Sequence, residues 1–212
     1  KFCDPKKLLI IKHDISNIKG HIKVIKKIRK KFKKDIDILI NNSGGPPPKE
    51  AIHANLTDWK KALNTNLLSA VSFSKIVINN MKKNKWGRII NLTSTTAKEP
   101  AKNMVLSNVT RAALTSFSKT LSLEVADYGI TVNTILTGGC MTDRFLGLVK
   151  KNTKTKKEFK NNLKNIISQT TMQRIAEPEE FVKLIIFLAS EYSSYINGTA
   201  IAIDGGSSKS IF

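Results

Sequence analysis

The sequence predicts an α/β fold built on a doubly wound parallel sheet, and three observations support that prediction. Short apolar runs alternate with amphipathic helical patterns along the chain. The runs are apolar at consecutive positions, as in strands that are buried on both faces. No repeat or flexible linker divides the 212 residues. Strands and helices that alternate in this way form a parallel sheet covered on both sides, here within a single domain, 1–212.

Each predicted element follows from a local pattern. In the first helix, lysines occupy the outer faces, and the apolar residues at helical spacing are Ile22, Ile25, Ile28 and Phe32. Thr57 is a suitable N-cap for the second helix, and Gly129 is suited to end the third. Pro178 is suited to the first turn of the last helix. The predicted strands are 7–12, 37–40, 86–93, 130–136 and 199–203, and the predicted helices are 18–34, 57–83, 104–128, much of 142–170, and one from Glu177 onward.

The net charge of +20 does not by itself indicate a nucleic-acid-binding protein. Lysine supplies 31 of the 36 basic residues, and arginine, which recognises bases and phosphates better, supplies five. The lysines lie on the outer faces of helical patterns, where water solvates them. We therefore expect no specific nucleic-acid partner. Non-specific attraction that falls steeply with salt is the alternative.

The sequence does not indicate a membrane protein or a metal protein. A membrane-spanning helix needs about 18 or more consecutive apolar residues, and no such run occurs. The two cysteines, Cys3 and Cys140, stand far apart without companion histidines, so we expect neither a disulfide nor a metal site. A cytoplasmic protein with no membrane partner is the expectation.

Polar residues and glycines cluster directly after the predicted strands. They are Asp14 and the segments 41–45, 93–97 and 137–142. In open parallel sheets, ligands bind at the carboxyl ends of the strands. These four segments are therefore predicted to meet at one edge of the sheet and to form the functional site.

A series of motifs in a fixed order resembles the short-chain dehydrogenase/reductase family over 8–206. Each motif is weak alone, and their order makes the resemblance specific. They are Asn41-Asn42-Ser43-Gly44, Thr65-Asn66-Leu67, Gly87-Arg88-Ile89-Ile90-Asn91-Leu92-Thr93-Ser94, Gly129-Ile130-Thr131-Val132-Asn133, Gly138, Thr142-Asp143 and Asp204-Gly205-Gly206. The chain is most similar to the 3-oxoacyl-acyl carrier protein reductase branch, which implies a Rossmann-type fold.

The resemblance implies an NAD(P)-dependent oxidoreductase that uses NAD or NADP to interconvert a carbonyl and an alcohol. It also implies a small-molecule or acyl-thioester substrate, with 3-oxoacyl-thioester reduction in fatty acid metabolism as one form. The segment 142–175 is expected to cover the substrate, and helices 57–83 and 104–128 to form the interface of a homodimer or homotetramer. By motif position, the catalytic residues are Asn66, Ser94, Ser107 and Arg111, and the cofactor-binding residues are Asp14, Ile15, Asn41, Ser43, Gly44, Gly138 and Thr142.

Two departures from the family pattern limit these implications. The glycine-rich fingerprint is absent ahead of Asp14, so we expect two βα units, roughly 40–50 residues, to precede this sequence. The family's catalytic tyrosine and lysine are also absent, and alignment without gaps places Ser107 and Arg111 at their positions. A Ser-x-x-x-Arg subgroup is one explanation. A catalytically silent nucleotide-binding or regulatory member is the other.

The altered pair changes the expected chemistry. Tyrosine transfers a proton because its pKa of about 10 can be lowered by its surroundings, whereas serine is a far weaker acid and arginine stays protonated. Ser94 is expected to polarise the substrate carbonyl and Arg111 to stabilise developing negative charge. Ser107 is expected to hydrogen-bond the substrate or to pass a proton from water held by Asn66.

Most of these residues also have a structural interpretation. His13, His21 and His53 match no motif and are expected to be solvated or packing residues. The structural alternatives for the motif residues are a loop cap for Ser94, a surface contact for Ser107 and Arg111, a strand end for Asp14, a strand brace for Asn41 and an N-cap for Thr142.

Overall fold

A parallel four-stranded sheet forms the centre of the fold. The structure is a computed structural model, and it describes residues 4–151 and 153–211. The strands are β1 Ile38–Asn41, β2 Gly87–Leu92, β3 Ile130–Thr137 and β4 Ala200–Ile203, and they lie in this order across the sheet. Each strand pairs in parallel with its neighbour. The predicted α/β fold with a parallel sheet is confirmed.

Helices connect the strands and cover both faces of the sheet. A π-helical segment, Asn64–Leu68, joins α2 to α3 without a break. Gly129 follows the α4 region with φ of 66°, in the left-handed region that favours glycine, and Pro178 begins α7, both as predicted. The helices are α1 His21–Phe32, α2 Leu56–Leu63, α3 Ser69–Asn84, α4 Val105–Val125, α5 Asp143–Lys151, α6 Lys156–Ser168 and α7 Pro178–Ala189.

The sheet separates two apolar cores. On one face, buried residues of α1, α3 and α4 pack against β2 and β3, among them Ile25, Val77, Met81, Ile89, Leu121 and Val132. On the other face, Leu188 of α7 packs with Ile90 and Ile135. Because β2 and β3 bury side chains on both faces, their sequences are apolar at consecutive positions.

The predicted strand 7–12 is wrong. Lys7 ends a short 3-10 turn, Pro5–Lys7, and 8–14 have no regular structure. Leu8 and Ile10 are exposed. A parallel strand needs a neighbour that exchanges backbone hydrogen bonds with it, and β1, at the edge of the described sheet, pairs only with β2.

Two predicted details of the helices are also wrong. The N-cap of α2 is Asn55 rather than Thr57, because the Asn55 side chain accepts from the Asp58 N–H while the Asp58 carboxylate accepts from the Asn55 N–H. This reciprocal pair satisfies two free donors, which a single threonine cap does not. In α1, Ile22 is exposed and His21 is fully buried in its place, because His21 lies under the segment that precedes the helix.

Candidate active site

The carboxyl ends of β1, β2 and β3 open on one cleft of about 540 Å³. Three of the four segments that were predicted to meet at this edge do so, and Asp14 does not line the cleft. The lining residues that follow these strands are Asn42, Ser43, Gly44 and Gly45 after β1, Thr93 and Ser94 after β2, and Gly138, Cys140 and Thr142 after β3.

Three of the four predicted catalytic residues line this cleft together. Ser94 follows β2, and Ser107 and Arg111 lie one turn apart on α4. Ser107 is 6% exposed and Arg111 is 7% exposed. The alternative of a surface contact for these two residues is therefore wrong, because both are buried against the cleft.

Ser94 caps a short turn and also lines the cleft. Its Oγ accepts hydrogen bonds from the backbone N–H and from the hydroxyl of Thr96, both at 3.2 Å. These bonds fix the oxygen and occupy its lone pairs, so that the Ser94 hydroxyl hydrogen remains for donation to a ligand. The capping role is therefore compatible with a role toward substrate.

Arg111 is a buried cation that two backbone carbonyls hold in place. Its Nη1 donates to the Leu92 carbonyl at 2.6 Å, and its Nη2 donates to the Ser43 carbonyl at 3.1 Å. Burial, together with the charge of Arg144, lowers the pKa of Arg111 to about 10, so the guanidinium stays charged at neutral pH. Its Nε is buried and has no hydrogen-bond partner among the described residues.

Asn66 supports the loop after β1 rather than lining the cleft of Ser94. It is 2% exposed, and the π-helical segment places it beneath that loop. Its Nδ2 donates to Ser43 Oγ and to the Gly44 carbonyl, both at 2.9 Å. The structure thus links Asn66 to Ser43 and Gly44, and a water relay from Asn66 to Ser107 stays a prediction.

A second cleft of about 410 Å³ adjoins the first. Asn42 and Ser43 line both clefts, so the two meet at the end of β1. The predicted cofactor-binding residues Ile15 and Asn41 line this second cleft, as does Asn66. The predicted site therefore extends over two adjoining spaces.

Asp14 and Asn41 have partners of their own. The Asp14 carboxylate is exposed and accepts from the Ser16 hydroxyl at 2.8 Å and from the Ser16 N–H at 2.9 Å, and these bonds lower the pKa of Asp14. Asn41 Nδ2 donates to Asn91 Oδ1 at 2.7 Å, which ties β1 to β2. Asp14 thus forms a turn rather than ending a strand, and the strand-bracing interpretation of Asn41 is observed.

Gly138 and Thr142 line the first cleft and also have structural roles. The Gly138 N–H donates to the Ile203 carbonyl at 2.8 Å, and a Cβ at Gly138 would lie 2.6 Å from Asp204 Cα. Only glycine fits this close approach. Thr142 Oγ1 accepts from the Phe145 N–H at 3.3 Å, so Thr142 is the N-cap of α5, which was its predicted alternative.

Arg144 lines the cleft, and the sequence did not predict it as a site residue. Its Nη2 donates to the Pro46 carbonyl at 3.2 Å, across the cleft mouth from α5. One signal was present: arginine occurs only five times beside 31 lysines, and Arg144 directly follows the Thr142-Asp143 motif. What the sequence could not reveal is that Arg144 approaches Arg111.

The segment predicted to cover the substrate reaches the cleft through α5. Arg144, Phe145 and Leu148 of α5 line the cleft. α6 contacts α5 and is not among the lining elements. α7 adds Phe181, Val182 and Ile185 to the lining, so the part of the lining that α5 and α7 form is largely apolar.

The part of the chain that the structure describes contains no group of three or more His, Cys, Asp or Glu side chains that could hold a metal ion. Cys140 is a free thiol, and Cys3 lies outside the described residues. Within 4–151 and 153–211, no helix is long and apolar enough to cross a membrane.

Comparison with known proteins assigns the chain to a family. A family model described as enoyl-(acyl carrier protein) reductase matches residues 3–208. The NADPH-dependent reductase BacG of Bacillus subtilis is 34% identical over 208 residues, which cover 96% of this chain and 79% of BacG. The chain belongs to the short-chain dehydrogenase/reductase family.

A second relative and a solved structure agree with the assignment. The 3-oxoacyl-[acyl-carrier-protein] reductase FabG of Buchnera aphidicola subsp. Acyrthosiphon pisum is 35% identical over 194 residues, covering 91% of this chain and 75% of FabG. The crystal structure of YwfH, an NADPH-dependent reductase involved in bacilysin biosynthesis, matches with a TM-score of 0.89 at 33% identity, covering 96% of this chain and 78% of YwfH. The Rossmann-type fold of these reductases is therefore shared by this chain.

Proposed function

We propose that this short-chain dehydrogenase/reductase is an NADPH-dependent reductase that interconverts a carbonyl and an alcohol. The observation that carries the proposal is the cleft that Ser94, Ser107 and Arg111 share at the carboxyl edge of a parallel sheet. Such edges are where open α/β sheets bind nucleotides. BacG and YwfH are both NADPH-dependent reductases, which supports NADPH rather than NADH.

The residues of the two clefts fit a dinucleotide. The clefts meet at Asn42 and Ser43, as a ligand with two bulky ends requires. Asn66 Oδ1, in the second cleft, is a buried polar atom without a partner in the described structure, and a polar ligand would satisfy such an atom. NADPH, when bound, supplies the hydride.

The proposed cofactor contacts divide between the two clefts. Ile15 and Asn41 would hold the adenosine end in the second cleft, with Asp14 beside Ile15 as a candidate partner of the adenine amine. The first cleft would hold the nicotinamide end against three residues of its lining: Gly44, Gly138 and Thr142.

The protein provides two groups that would interact with the substrate: a hydrogen-bond donor and a fixed positive charge. The Ser94 hydroxyl, held by Thr96, donates to the substrate carbonyl oxygen and polarises it. Arg111, held by Leu92 and Ser43, places a positive charge where the alkoxide develops. Both groups are preorganised, so little reorganisation accompanies the reaction.

The proton for the alkoxide reaches the substrate through Ser107. Arg111 stays protonated at neutral pH and cannot relay a proton. Ser107 is a weak acid, so its role is to carry a proton from water rather than to release its own at a lowered pKa. Turnover is therefore expected to be slower than with a tyrosine at this position, by about 10²–10⁴-fold.

A catalytically silent nucleotide-binding member is the second candidate, and the Ser107 and Arg111 pair favours it. That protein would bind NADPH in the same two clefts and oxidise none of it with any carbonyl compound. Binding without turnover distinguishes it from the reductase.

The finer assignments are part of the proposal. A 3-oxoacyl thioester is one candidate substrate, and the similarity to FabG supports it. A homodimer or homotetramer is proposed because exposed apolar side chains lie on α2 and α4, among them Leu56, Val109 and Leu123. A cytoplasmic location and the absence of a specific nucleic-acid partner stay predictions from the sequence.

The test is titration with NADPH and NADH, followed by a panel of ketones, oxo acids and 3-oxoacyl thioesters. We expect NADPH fluorescence to change on binding and absorbance at the reduced-nicotinamide band to fall with at least one carbonyl compound. Ser94→Ala should lower kcat/KM by roughly 10²-fold, since it removes one positioned donor. Ser116→Ala, an exposed serine on the same α4 helix, is the control and should match the wild type. A protein that binds neither cofactor would refute the proposal.

A further inference from the structure

Two arginines converge over Gly45 at the mouth of the substrate cleft. The position that a Cβ would occupy at Gly45 lies 2.8 Å from Arg144 Nη2 and 3.8 Å from Arg111 Nη2. The two side chains come from different elements, Arg111 from α4 and Arg144 from α5. Each is tethered to a backbone carbonyl on the 43–46 loop, at Ser43 and Pro46. Both guanidinium groups are therefore held close together on one side of the cleft.

Within the described part of the chain, no carboxylate that lines the cleft balances these charges. Among the described residues that line it, none is Asp or Glu. Burial lowers the pKa of Arg111, and the like charge of Arg144 lowers it further. Arg111 is 7% exposed, and its Nε is buried without a partner in the described structure. An anion at this point would relieve the repulsion and accept hydrogen bonds from both guanidinium groups.

The other residues that line the cleft indicate the chemistry of the remaining parts of the ligand. The cleft also has apolar lining residues, which form its apolar wall: Met104, Phe145, Leu148, Phe181, Val182 and Ile185. A cleft of about 540 Å³ is in the range of small-molecule sites. The lining thus combines a cationic corner, a polar edge with Ser94 and Ser107, and an apolar wall.

We propose that Arg144, together with Arg111, forms an anion site that selects oxo acids: substrates with a carboxylate, an apolar carbon skeleton and the reducible carbonyl. This inference rests on the proposed reductase function and narrows its substrate class. The carboxylate accepts from the paired guanidinium groups, the skeleton contacts the apolar wall, and the carbonyl reaches Ser94. Arg144 is a specificity-determining residue in this arrangement. The site favours an oxo acid over an uncharged ester or thioester of the same skeleton.

The anion that these arginines bind has a second source, the diphosphate of the cofactor. The two sources make different predictions for Arg144. A substrate carboxylate makes Arg144 important for acids alone, whereas a cofactor diphosphate makes it important for NADPH affinity with every substrate. NADPH affinity is therefore measured for each variant by fluorescence titration.

The activity arm compares phenyl-substituted 2-oxo, 4-oxo and 5-oxo acids with their methyl esters. The measured quantity is the ratio of kcat/KM for each acid to kcat/KM for its ester. Arg144→Met should lower this ratio by roughly 10- to 100-fold, because charge-assisted hydrogen bonds to the carboxylate are lost. The ratio for Arg144→Lys should lie between those of the wild type and Arg144→Met, since lysine keeps the charge but lacks the planar guanidinium group. Lys150→Met removes an exposed charge from the same helix and should leave the ratio at the wild-type value.

A binding arm does not depend on turnover. Equilibrium dialysis compares 3-phenylpropanoate with 3-phenylpropanamide, which differ in the anionic group. The wild type should bind the acid at least roughly tenfold more tightly than the amide, and Arg144→Met should remove this difference. Equal binding of acid and amide by the wild type would overturn the inference, whether or not any carbonyl is reduced.

The outcomes separate the two proposals. Two results would overturn the inference of an oxo-acid site and leave the proposed reductase function intact. One is reduction of esters with no preference for the acids. The other is an Arg144→Met variant that loses only NADPH affinity. Failure to bind NADPH would remove the reductase function, and the dialysis would still decide the anion site.

Discussion

The sequence alignment predicts that Arg111 stands at the position of the family's catalytic lysine, and in the proposed mechanism it contributes a fixed charge rather than a movable proton. Its guanidinium is anchored by the carbonyls of Leu92 and Ser43 and keeps its charge at neutral pH. Ser107, one turn earlier, is buried at the same cleft. In the proposed mechanism, these two residues therefore supply electrostatic stabilisation without a strong proton donor.

Restoring the family's residue pair tests this division of roles. Ser107→Tyr combined with Arg111→Lys should raise kcat for carbonyl reduction by about 10²-fold or more, because a positioned acid contributes about 10²–10⁴-fold. NADPH oxidation is followed at saturating cofactor. The matched control, Ser107→Phe with Arg111→Lys, adds the ring without the hydroxyl and should give no gain. Equal rates for the tyrosine and phenylalanine variants would contradict a missing acid.

Among the elements, α1 is joined to α3 through a buried histidine. His21 Nδ1 lies 3.0 Å from Ser72 Oγ, and Nε2 lies 2.9 Å from the Ile15 carbonyl. Since a carbonyl only accepts, Nε2 carries the proton and donates to Ile15, which lines the second cleft. The ring stacks on Phe73 with centroids 3.9 Å apart, and His13 packs against its edge. The sequence predicted only a packing or solvated residue here.

This contact predicts a pH dependence of stability. Burial lowers the pKa of His21 below 6.5, and the charge of nearby His13 acts in the same direction. The unfolded chain therefore binds more protons than the folded chain as pH falls below 6.5. The stability that His21 contributes is present above that pH and is lost below it.

The measurement is the melting temperature between pH 7.5 and 5. The wild type should lose stability over this range, and His21→Gln should show a smaller loss because its side chain does not titrate. His53→Gln, which changes an exposed histidine, should behave like the wild type. Parallel curves for the wild type and His21→Gln would show that His21 does not titrate during unfolding.

For the whole molecule, exposed apolar side chains support the proposed homodimer or homotetramer. Leu123 on α4 is 71% exposed and Leu56 on α2 is 77% exposed, although both helices bury their other faces in the fold. Large exposed apolar side chains are candidates for burial in a protein interface. The family resemblance predicted the same two helical regions as a subunit interface.

Light scattering after size exclusion tests the assembly. The wild type should elute as a dimer or tetramer, and Leu123→Glu should raise the dissociation constant on the order of 100-fold, because a charge would be buried in the interface. Ile10→Glu alters an apolar residue outside the helices that is also largely exposed, and it should not change the mass. A monomeric wild type at micromolar concentration would contradict this interface.

The sequence was sufficient to locate an element wherever the local pattern of apolar residues indicates which face of that element is buried. The strands β1 to β4 and the main helices could be located because apolar periodicity follows the face that each element buries. The order of the motifs located Ser94, Ser107 and Arg111 at one edge of the sheet. Local patterns failed for 7–12, since an apolar run becomes a strand only when a neighbouring strand pairs with it.

The sequence by itself determined the α/β class, the family and three of the segments that line the cleft at the carboxyl edge of the sheet. Only the tertiary structure decided that Arg144 approaches Arg111, that Asn66 supports Ser43, and that His21 is buried beside Ile15. The physical reason is that periodicity and turn residues act over a few neighbouring positions. The convergence of side chains from distant elements depends instead on how those elements pack.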